Sequence, residues 1–146
     1  MTERQIELVQ QSWQLVAAMD TYQTGNLFYN RLFEMAPSVK PLFHRNTQHD
    51  QSGKMIYMIN YIVRNLSNHD IRMIGIERLA RQHTGYGVQE EHYTMLGRAL
   101  LWTMQNLLAS TWNKELQQAW IVCYTKLAEA MIKASAMNEV ADEYVY

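Results

Sequence analysis

The sequence predicts an all-α protein, and three observations support this. Apolar residues recur at spacings of three and four through almost the whole chain, as on the buried face of an amphipathic helix. Stretches in which apolar and polar residues alternate, which indicate strands, are scarce. The 146 residues include only two prolines and six glycines, so few positions interrupt a helix. We expect about seven helices in one domain over residues 1–146.

The N-terminal part of the chain is predicted to form two helices and a short third one. Thr2 and Gln5 have the spacing of a capping box, which places the start of the first helix. The second helix follows the polar residues Asp20 and Thr21 and ends before Pro37, because a residue that precedes proline avoids the helical conformation. The segment PSVKPLF carries prolines that suit a first helical turn, and it is predicted to form a brief, tight helix.

The remaining two thirds of the chain are predicted to contain a loop and four further helices. The polar stretch HRNTQHDQSG is loop-like, and the helix after it has the cleanest apolar stripe in the chain. Another helix over about 71–84 ends near Gly85, and Gly87 falls in the turn that follows. Two long helices come last, and the acidic tail over about 137–146 is predicted to be flexible.

Composition and charge exclude several classes of protein. The formal net charge is −1, from 13 basic and 14 acidic residues, and no basic stripe indicates a nucleic-acid partner. The single cysteine, Cys123, rules out an internal disulfide framework and a cysteine-rich metal site. No uncharged apolar run is long enough to span a bilayer, and the N-terminus lacks the apolar core of a signal peptide. We therefore expect no membrane insertion and a cytoplasmic location.

One histidine stands apart from the other four. His44, His49, His69 and His92 occur in polar or loop-like settings, whereas His83 is in register with an apolar helical face beside a glycine-containing turn. One interpretation is a buried core histidine that is bonded to a carbonyl. The other is an axial ligand to haem iron, which requires a neutral imidazole on an apolar wall. The pattern alone leaves both open.

Two longer motifs resemble a known family. The segment LARQHTGYGVQEEHYTMLGRALL, which contains His83, resembles the proximal half of a bacterial globin. It is most similar to the globin domain of flavohaemoglobins and to related single-domain bacterial globins. LFYNRLFEMAPSVKPLF resembles the second and third helices of that family, and Trp13 matches its first-helix tryptophan. The resemblance covers about residues 2–134. It implies a globin fold, a three-on-three sandwich of about seven helices around one haem b.

The resemblance also implies the residues of the haem site. His83 matches the proximal iron ligand, and Phe43 matches the phenylalanine that packs on the haem face. The distal position lies 32 residues before His83, at Gln51, and Met55 follows one turn later where the family usually has leucine. Tyr29 falls where the family carries a distal tyrosine. Each of these residues taken singly also has a simpler interpretation. Tyr29 could be an ordinary core tyrosine, Gln51 a solvated residue of a first helical turn, and Phe43 a phenylalanine of the hydrophobic core.

Several further positions agree with the family or depart from it. Gly25 and Ser52 match the small residues that let two family helices cross closely. Tyr93 matches the tyrosine that supports the proximal histidine, but the position of the supporting glutamate falls on Ser135. Since a carboxylate behind the ligand would push electron density towards the iron, its loss argues against a strongly peroxidase-like or dioxygenase-tuned site. No flavin-binding segment follows the globin part, so electrons are expected from a separate flavin reductase.

These residues imply a haem protein that binds oxygen, nitric oxide and carbon monoxide reversibly at ferrous iron. Two hydrogen-bond donors, Tyr29 and Gln51, would give high oxygen affinity. One alternative is a nitric oxide dioxygenase that works with the separate reductase and detoxifies nitric oxide. A second is a haem-based gas or redox sensor. The sequence leaves open whether Gln51 or His49 occupies the distal pocket, although the family register places Gln51 inside.

Overall fold

The computed structural model describes residues 1–43, 47–85 and 87–145, and the side chains as far as residue 136. Within these residues the chain forms six α-helices, two 3-10 helices and no strand, which confirms the predicted all-α class. The elements in chain order are α1 (Glu3–Ala17), α2 (Thr21–Met35), a first 3-10 helix (Pro37–Phe43), α3 (Gln48–Arg64), α4 (His69–Gly85), α5 (His92–Leu108), a second 3-10 helix (Ala109–Thr111) and α6 (Lys114–Val145).

The starts of the first two helices are where the sequence predicts them. The Thr2 side chain accepts a hydrogen bond from the backbone N–H of Gln5, and the Gln5 side chain accepts one from the Thr2 N–H, which completes the capping box. Asp20 caps α2 by accepting hydrogen bonds from the N–H groups of Tyr22 and Gln23. The segment PSVKPLF forms the predicted tight helix, as a 3-10 helix. Sequence signals therefore place the helices that lead into the central part of the fold.

The predicted loop HRNTQHDQSG is largely helical in the described part of the chain, so this prediction is wrong. Residues 44–46 lie outside the described residues, but α3 begins at Gln48. Thr47 is its N-cap and accepts a hydrogen bond from the N–H of Asp50. This start places Gln51 in the first turn of α3, where its side chain faces the interior of the fold.

Helix α4 ends where the sequence predicts, and the C-terminal segment continues α6. The helix ends at Gly85 as predicted, and Gly87 has a φ of +83°, a left-handed conformation that glycine adopts without strain. Helix α6 continues to Val145, so it includes most of the segment over about 137–146 that the sequence predicts to be flexible. The side chains of that segment lie outside the described residues, and its flexibility stays a prediction.

The helices pack in two layers of three. Helices α1, α3 and α4 form one layer, and α2, α5 and α6 form the other; α3 packs across α2, and α6 packs across α4 and α1. The crossing of α2 and α3 is very close, because a Cβ placed on Gly25 would lie only 1.9 Å from Ser52 Oγ. Trp13 of α1 packs against Trp120 of α6 with their ring centroids 6.2 Å apart. Helices α2 to α6 leave a cavity among them.

Candidate haem site

A large apolar cavity opens between the two layers. It contains about 830 Å³ of space free of protein atoms, a volume that includes solvent at its open mouth. Residues from α2 to α6 and from the first 3-10 helix line it, and most of them are apolar. These are Phe28, Tyr29, Phe43, Gln51, Lys54, Met55, Met58, Ile59, Leu79, Gln82, His83, Tyr93, Leu96, Leu100, Tyr124, Leu127 and Met131. All six sequence-predicted site residues are among them.

His83 provides one wall of the cavity from the last turn of α4. Its Nδ1 atom is buried and has no hydrogen-bond partner among the described residues. Burial lowers the pKa of His83 from its usual 6.5 to about 4, so the imidazole is neutral at physiological pH. A buried polar nitrogen without a partner is unfavourable unless another group satisfies the ring. The site therefore presents a neutral imidazole to the cavity, which is the form that binds metals.

The surroundings of His83 contain aromatic and hydroxyl groups. The ring of Tyr93 meets that of His83 edge-on, with centroids 6.0 Å apart, and burial raises the pKa of the Tyr93 phenol. Next to His83, the Thr84 hydroxyl donates a hydrogen bond to the Ser135 hydroxyl at 3.1 Å. Ser135 therefore lies beside Thr84, the residue that follows His83, at the position where the resemblance implies a glutamate. No carboxylate is among the described residues that line the cavity with His83.

Tyr29 and Gln51, which the resemblance assigns to the distal side, also line the cavity. Tyr29, on α2, and Gln51, on α3, are 4% and 6% exposed, and both reach the cavity wall. Tyr29 contacts Phe43 edge-on, with ring centroids 5.5 Å apart. Met55 lies one turn after Gln51 and lines the same wall. The structure therefore brings two buried hydrogen-bond donors together in a mainly apolar space.

His49 does not line this cavity. Its exposed ring stacks on the ring of Tyr22, with centroids 3.6 Å apart and the planes within 11° of parallel. Of the other histidines, His69 contacts Arg72, and the His92 Nδ1 atom accepts a hydrogen bond from the Gln89 N–H. His44 lies outside the described residues. Of the two candidate residues, Gln51 lines the cavity and His49 does not, and a role of Gln51 on the distal side stays a prediction.

Sequence reasoning missed three polar residues of the cavity, which are Lys54, Gln82 and Tyr124. Lys54 is exposed, and it follows Gln51 by three positions, a spacing that could have placed it near the cavity. The Tyr124 hydroxyl donates a hydrogen bond to the Tyr93 carbonyl. Tyr124 approaches the cavity across Gly97, where a Cβ would lie 2.3 Å from its ring. No local pattern in α6 indicates this close contact.

The donor set decides what kind of metal group fits. Within the described ranges, no group of three His, Cys, Asp or Glu residues could hold a metal ion. A haem needs only one such side chain, because its porphyrin supplies further ligands to the iron. The apolar walls suit the faces of a flat porphyrin, and the Lys54 amine at the cavity suits an acidic substituent. The residues present fit a haem.

Comparison with known proteins agrees with the fold and the cavity. The sequence profile of the globin family matches residues 26–131, so the chain belongs to the globin family. Membership of this family implies that the chain binds haem. In the described part of the chain, no helix is long and apolar enough to cross a membrane.

Individual relatives come from animals and from bacteria. The chain is 28% identical to neuroglobin-1 from Oncorhynchus mykiss over 94% of both proteins. It is 26% identical to a flavohemoprotein from Vibrio cholerae over 90% of this chain, which spans 34% of that longer protein. Among solved structures, a bacterial globin from Campylobacter jejuni has a TM-score of 0.81 and 26% identity, and covers 97% of this chain and 99% of its own. The predicted resemblance to bacterial globins is confirmed.

Proposed function

We propose that this chain holds haem b through His83 and binds oxygen and other diatomic gases reversibly, with high affinity for oxygen. One observation carries the proposal. A single apolar cavity brings together a neutral imidazole, on α4, and two buried donor side chains, Tyr29 and Gln51. When bound, haem supplies an iron that accepts a gas molecule and that can gain or lose one electron.

Each of the chain's own residues has a defined task in this proposal. The His83 imidazole is neutral, so its nitrogen lone pair is available to the metal without loss of a proton. Phe43 and Met55 line the cavity with apolar surface, which limits access of water. The Tyr29 hydroxyl and the Gln51 amide donate hydrogen bonds to a polar gas molecule. A hydrogen bond to a charged acceptor contributes about 1.5 to 3 kcal/mol, so that the two donors slow the release of oxygen.

The proximal side favours reversible binding. The Thr84 and Ser135 hydroxyls bond to each other beside His83, and no described carboxylate lines the cavity. An uncharged neighbourhood gives less electron donation through the ligand than a carboxylate would. We infer that this site is tuned for holding gas rather than for peroxidase chemistry.

The test of the proposal is oxygen binding by the purified, haem-loaded protein. We expect the reduced protein to take up oxygen and release it again over repeated cycles, with a reversible change in its visible spectrum. His83→Ala should lose haem readily, and added imidazole should restore the bound spectrum by replacing the missing ligand. His69→Ala, which removes an exposed histidine from the same helix, should behave as the wild type. Wild-type protein that shows no haem absorbance after reconstitution, or His83→Ala that retains haem fully, would contradict the proposal.

A second candidate function uses the same two donors. Nitric oxide, oxygen and one electron combine to nitrate, and negative charge grows on the oxygen atoms as they react. Tyr29 and Gln51 are placed to stabilise that charge, and the apolar cavity admits a small apolar gas. Repeated turnover would take its electrons from a separate flavin reductase.

Rapid mixing of the oxygen-loaded protein with nitric oxide distinguishes the two functions. About one nitrate per haem in a single burst, followed by turnover when a flavin reductase and its reductant are added, would support the dioxygenase. Oxygen-loaded protein that survives excess nitric oxide would leave gas binding as the function.

A further inference from the structure

A second cavity lies beside the haem cavity and is separate from it. It holds about 670 Å³ of space free of protein atoms, counted to its mouth, between α1, α3, α4 and α6. Leu127 is the one residue that lines both cavities within the described chain. The proposed gas site uses no other residue of this second cavity, so the two sites can be tested independently.

The walls of this cavity are apolar, and its charged groups are all cationic. Residues of four helices supply the apolar surface, among them Ile62, Leu66 and Ile76, which are buried. The two charged residues that line it are Arg72 and Lys126. Neither of them forms an ion pair with a described carboxylate, and no acidic side chain lines the cavity. An apolar space beside two uncompensated cations is complementary to a molecule with an apolar body and an anionic end.

Two polar contacts hold the Arg72 guanidinium in place at the cavity. Its Nη1 donates a hydrogen bond to the Leu66 carbonyl at 2.6 Å, and its Nη2 lies 3.1 Å from His69 Nδ1. A guanidinium has five N–H donors, so that three remain for an anion. The charge of Arg72 also acts on the interior, since it lowers the pKa of the buried Cys123 thiol, although burial prevails and raises that pKa to about 12.

We propose that this second cavity binds a single-chain aliphatic carboxylate, with the chain between α3, α4 and α6 and the carboxylate against Arg72 and Lys126. Arg72 is half-buried and pre-positioned, so it provides most of the charge recognition. Lys126 is exposed and contributes less, because water screens its charge. The apolar residues that line the cavity favour a longer aliphatic chain, because each further buried methylene adds to the binding free energy.

Calorimetric titration of the haem-loaded protein with octanoate and decanoate tests the site, because bound haem keeps these ligands out of the haem cavity. Each buried methylene is expected to tighten binding about fourfold, so decanoate should bind about 15-fold more tightly than octanoate, as ~0.8 kcal/mol per methylene requires. Octyltrimethylammonium, which has the same chain and the opposite charge, should bind at least about tenfold more weakly than octanoate.

Matched variants locate the binding. Arg72→Gln should weaken decanoate binding about tenfold and Lys126→Gln about threefold, whereas Lys114→Gln, at the far end of α6, should have no effect. Ala130→Phe fills the cavity from its wall and should abolish binding while the haem spectrum stays unchanged. Failure of decanoate to bind saturably, or equal binding by Ala130→Phe or by Arg72→Gln, would overturn the proposal. None of these results depends on whether the haem binds oxygen.

Discussion

Two side chains, Tyr29 and Gln51, connect the sequence to the proposed chemistry most directly. Both are polar, yet both are more than nine-tenths buried on the wall of an apolar cavity. Both side chains line the space that a haem and its gas ligand would fill. Tyr29 is further fixed by edge-on contact with Phe43. A fixed donor is more effective than a mobile one, because it does not have to be ordered when the gas binds.

We predict that Tyr29→Phe speeds the release of oxygen about 10- to 100-fold, because it removes one hydrogen bond of about 1.5 to 3 kcal/mol. Gln51→Leu should speed it over the same range. Stopped-flow displacement of oxygen by carbon monoxide measures both rates. Tyr57→Phe is a matched control, since Tyr57 is 64% exposed on α3 and does not line the cavity. Unchanged release rates in both distal variants would show that neither side chain donates to the gas.

A second prediction at this scale concerns Cys123. Burial raises the pKa of its thiol from 9.0 to about 12. Because the thiolate is the reactive form, three pKa units reduce its population at pH 8 roughly 1,000-fold. The folded protein should therefore react with iodoacetamide about three orders of magnitude more slowly than the protein in urea, as mass spectrometry can follow. Equal rates in both conditions would show that the thiol is accessible in the folded chain.

Sequence reasoning reached some site residues and missed others for a physical reason. Helical periodicity beside a glycine turn singles out His83, and the resemblance to bacterial globins implies Tyr29 and Gln51. Tyr124 could not be predicted, because it reaches the cavity by packing across Gly97 from a different helix. A contact between helices distant in sequence leaves no local pattern.

At the scale of the helices, the crossing of α2 and α3 sets the position of the distal side chains. Gly25 and Ser52 let the two helices approach until a Cβ on Gly25 would overlap the Ser52 side chain. Tyr29 follows Gly25 by one turn, and Gln51 immediately precedes Ser52, so that this close approach brings the two donors to one end of the cavity. The close helix crossing that was predicted at Gly25 and Ser52 is thus confirmed.

Gly25→Ala should destabilise the folded protein by about 1 to 3 kcal/mol, the range for overpacking a tight contact. Gly53→Ala provides the control on α3, because nothing lies within 4 Å of a Cβ at that position. Gly53→Ala should raise the free energy of unfolding by about 0.5 to 1 kcal/mol, since alanine favours a helix more than glycine does. Urea denaturation measures both. A Gly25→Ala variant as stable as Gly53→Ala would mean that the helices do not cross this closely.

The start of α3 shows where composition misleads at this scale. HRNTQHDQSG is polar enough to be interpreted as a loop, yet Gln48 already begins the helix. The first turn is anchored by polar contacts, since the Gln48 amide donates hydrogen bonds to the Asn26 and Asn30 side chains of α2. Thr47 adds an N-cap. Tertiary polar contacts therefore determine this helix start, and periodicity of apolar residues does not detect them.

At the scale of the whole molecule, helices α2 to α6 surround a cavity that is open to solvent. Most of the residues that line it are apolar, among them Phe28, Leu96 and Met131. Apolar surface in contact with water is unfavourable, so a group that covers this lining would stabilise the fold. Haem would complete the core as well as provide the chemistry.

The last prediction follows from this role in the core. A ligand that binds only the folded state stabilises it by about 2.7 kcal/mol when its free concentration is 100 times its Kd. For a chain of this size, each kcal/mol of added stability raises the melting temperature by about 2 to 4 °C. Haem at a free concentration of 100 times its Kd should therefore raise the melting temperature by about 5 to 10 °C. In His83→Ala at the same haem concentration, the rise should be smaller, because the metal loses its protein ligand while the apolar walls remain. Melting curves by circular dichroism measure both values. Apoprotein that melts within 1 °C of the haem-loaded protein would show that the cavity closes without haem, and that the core does not depend on it.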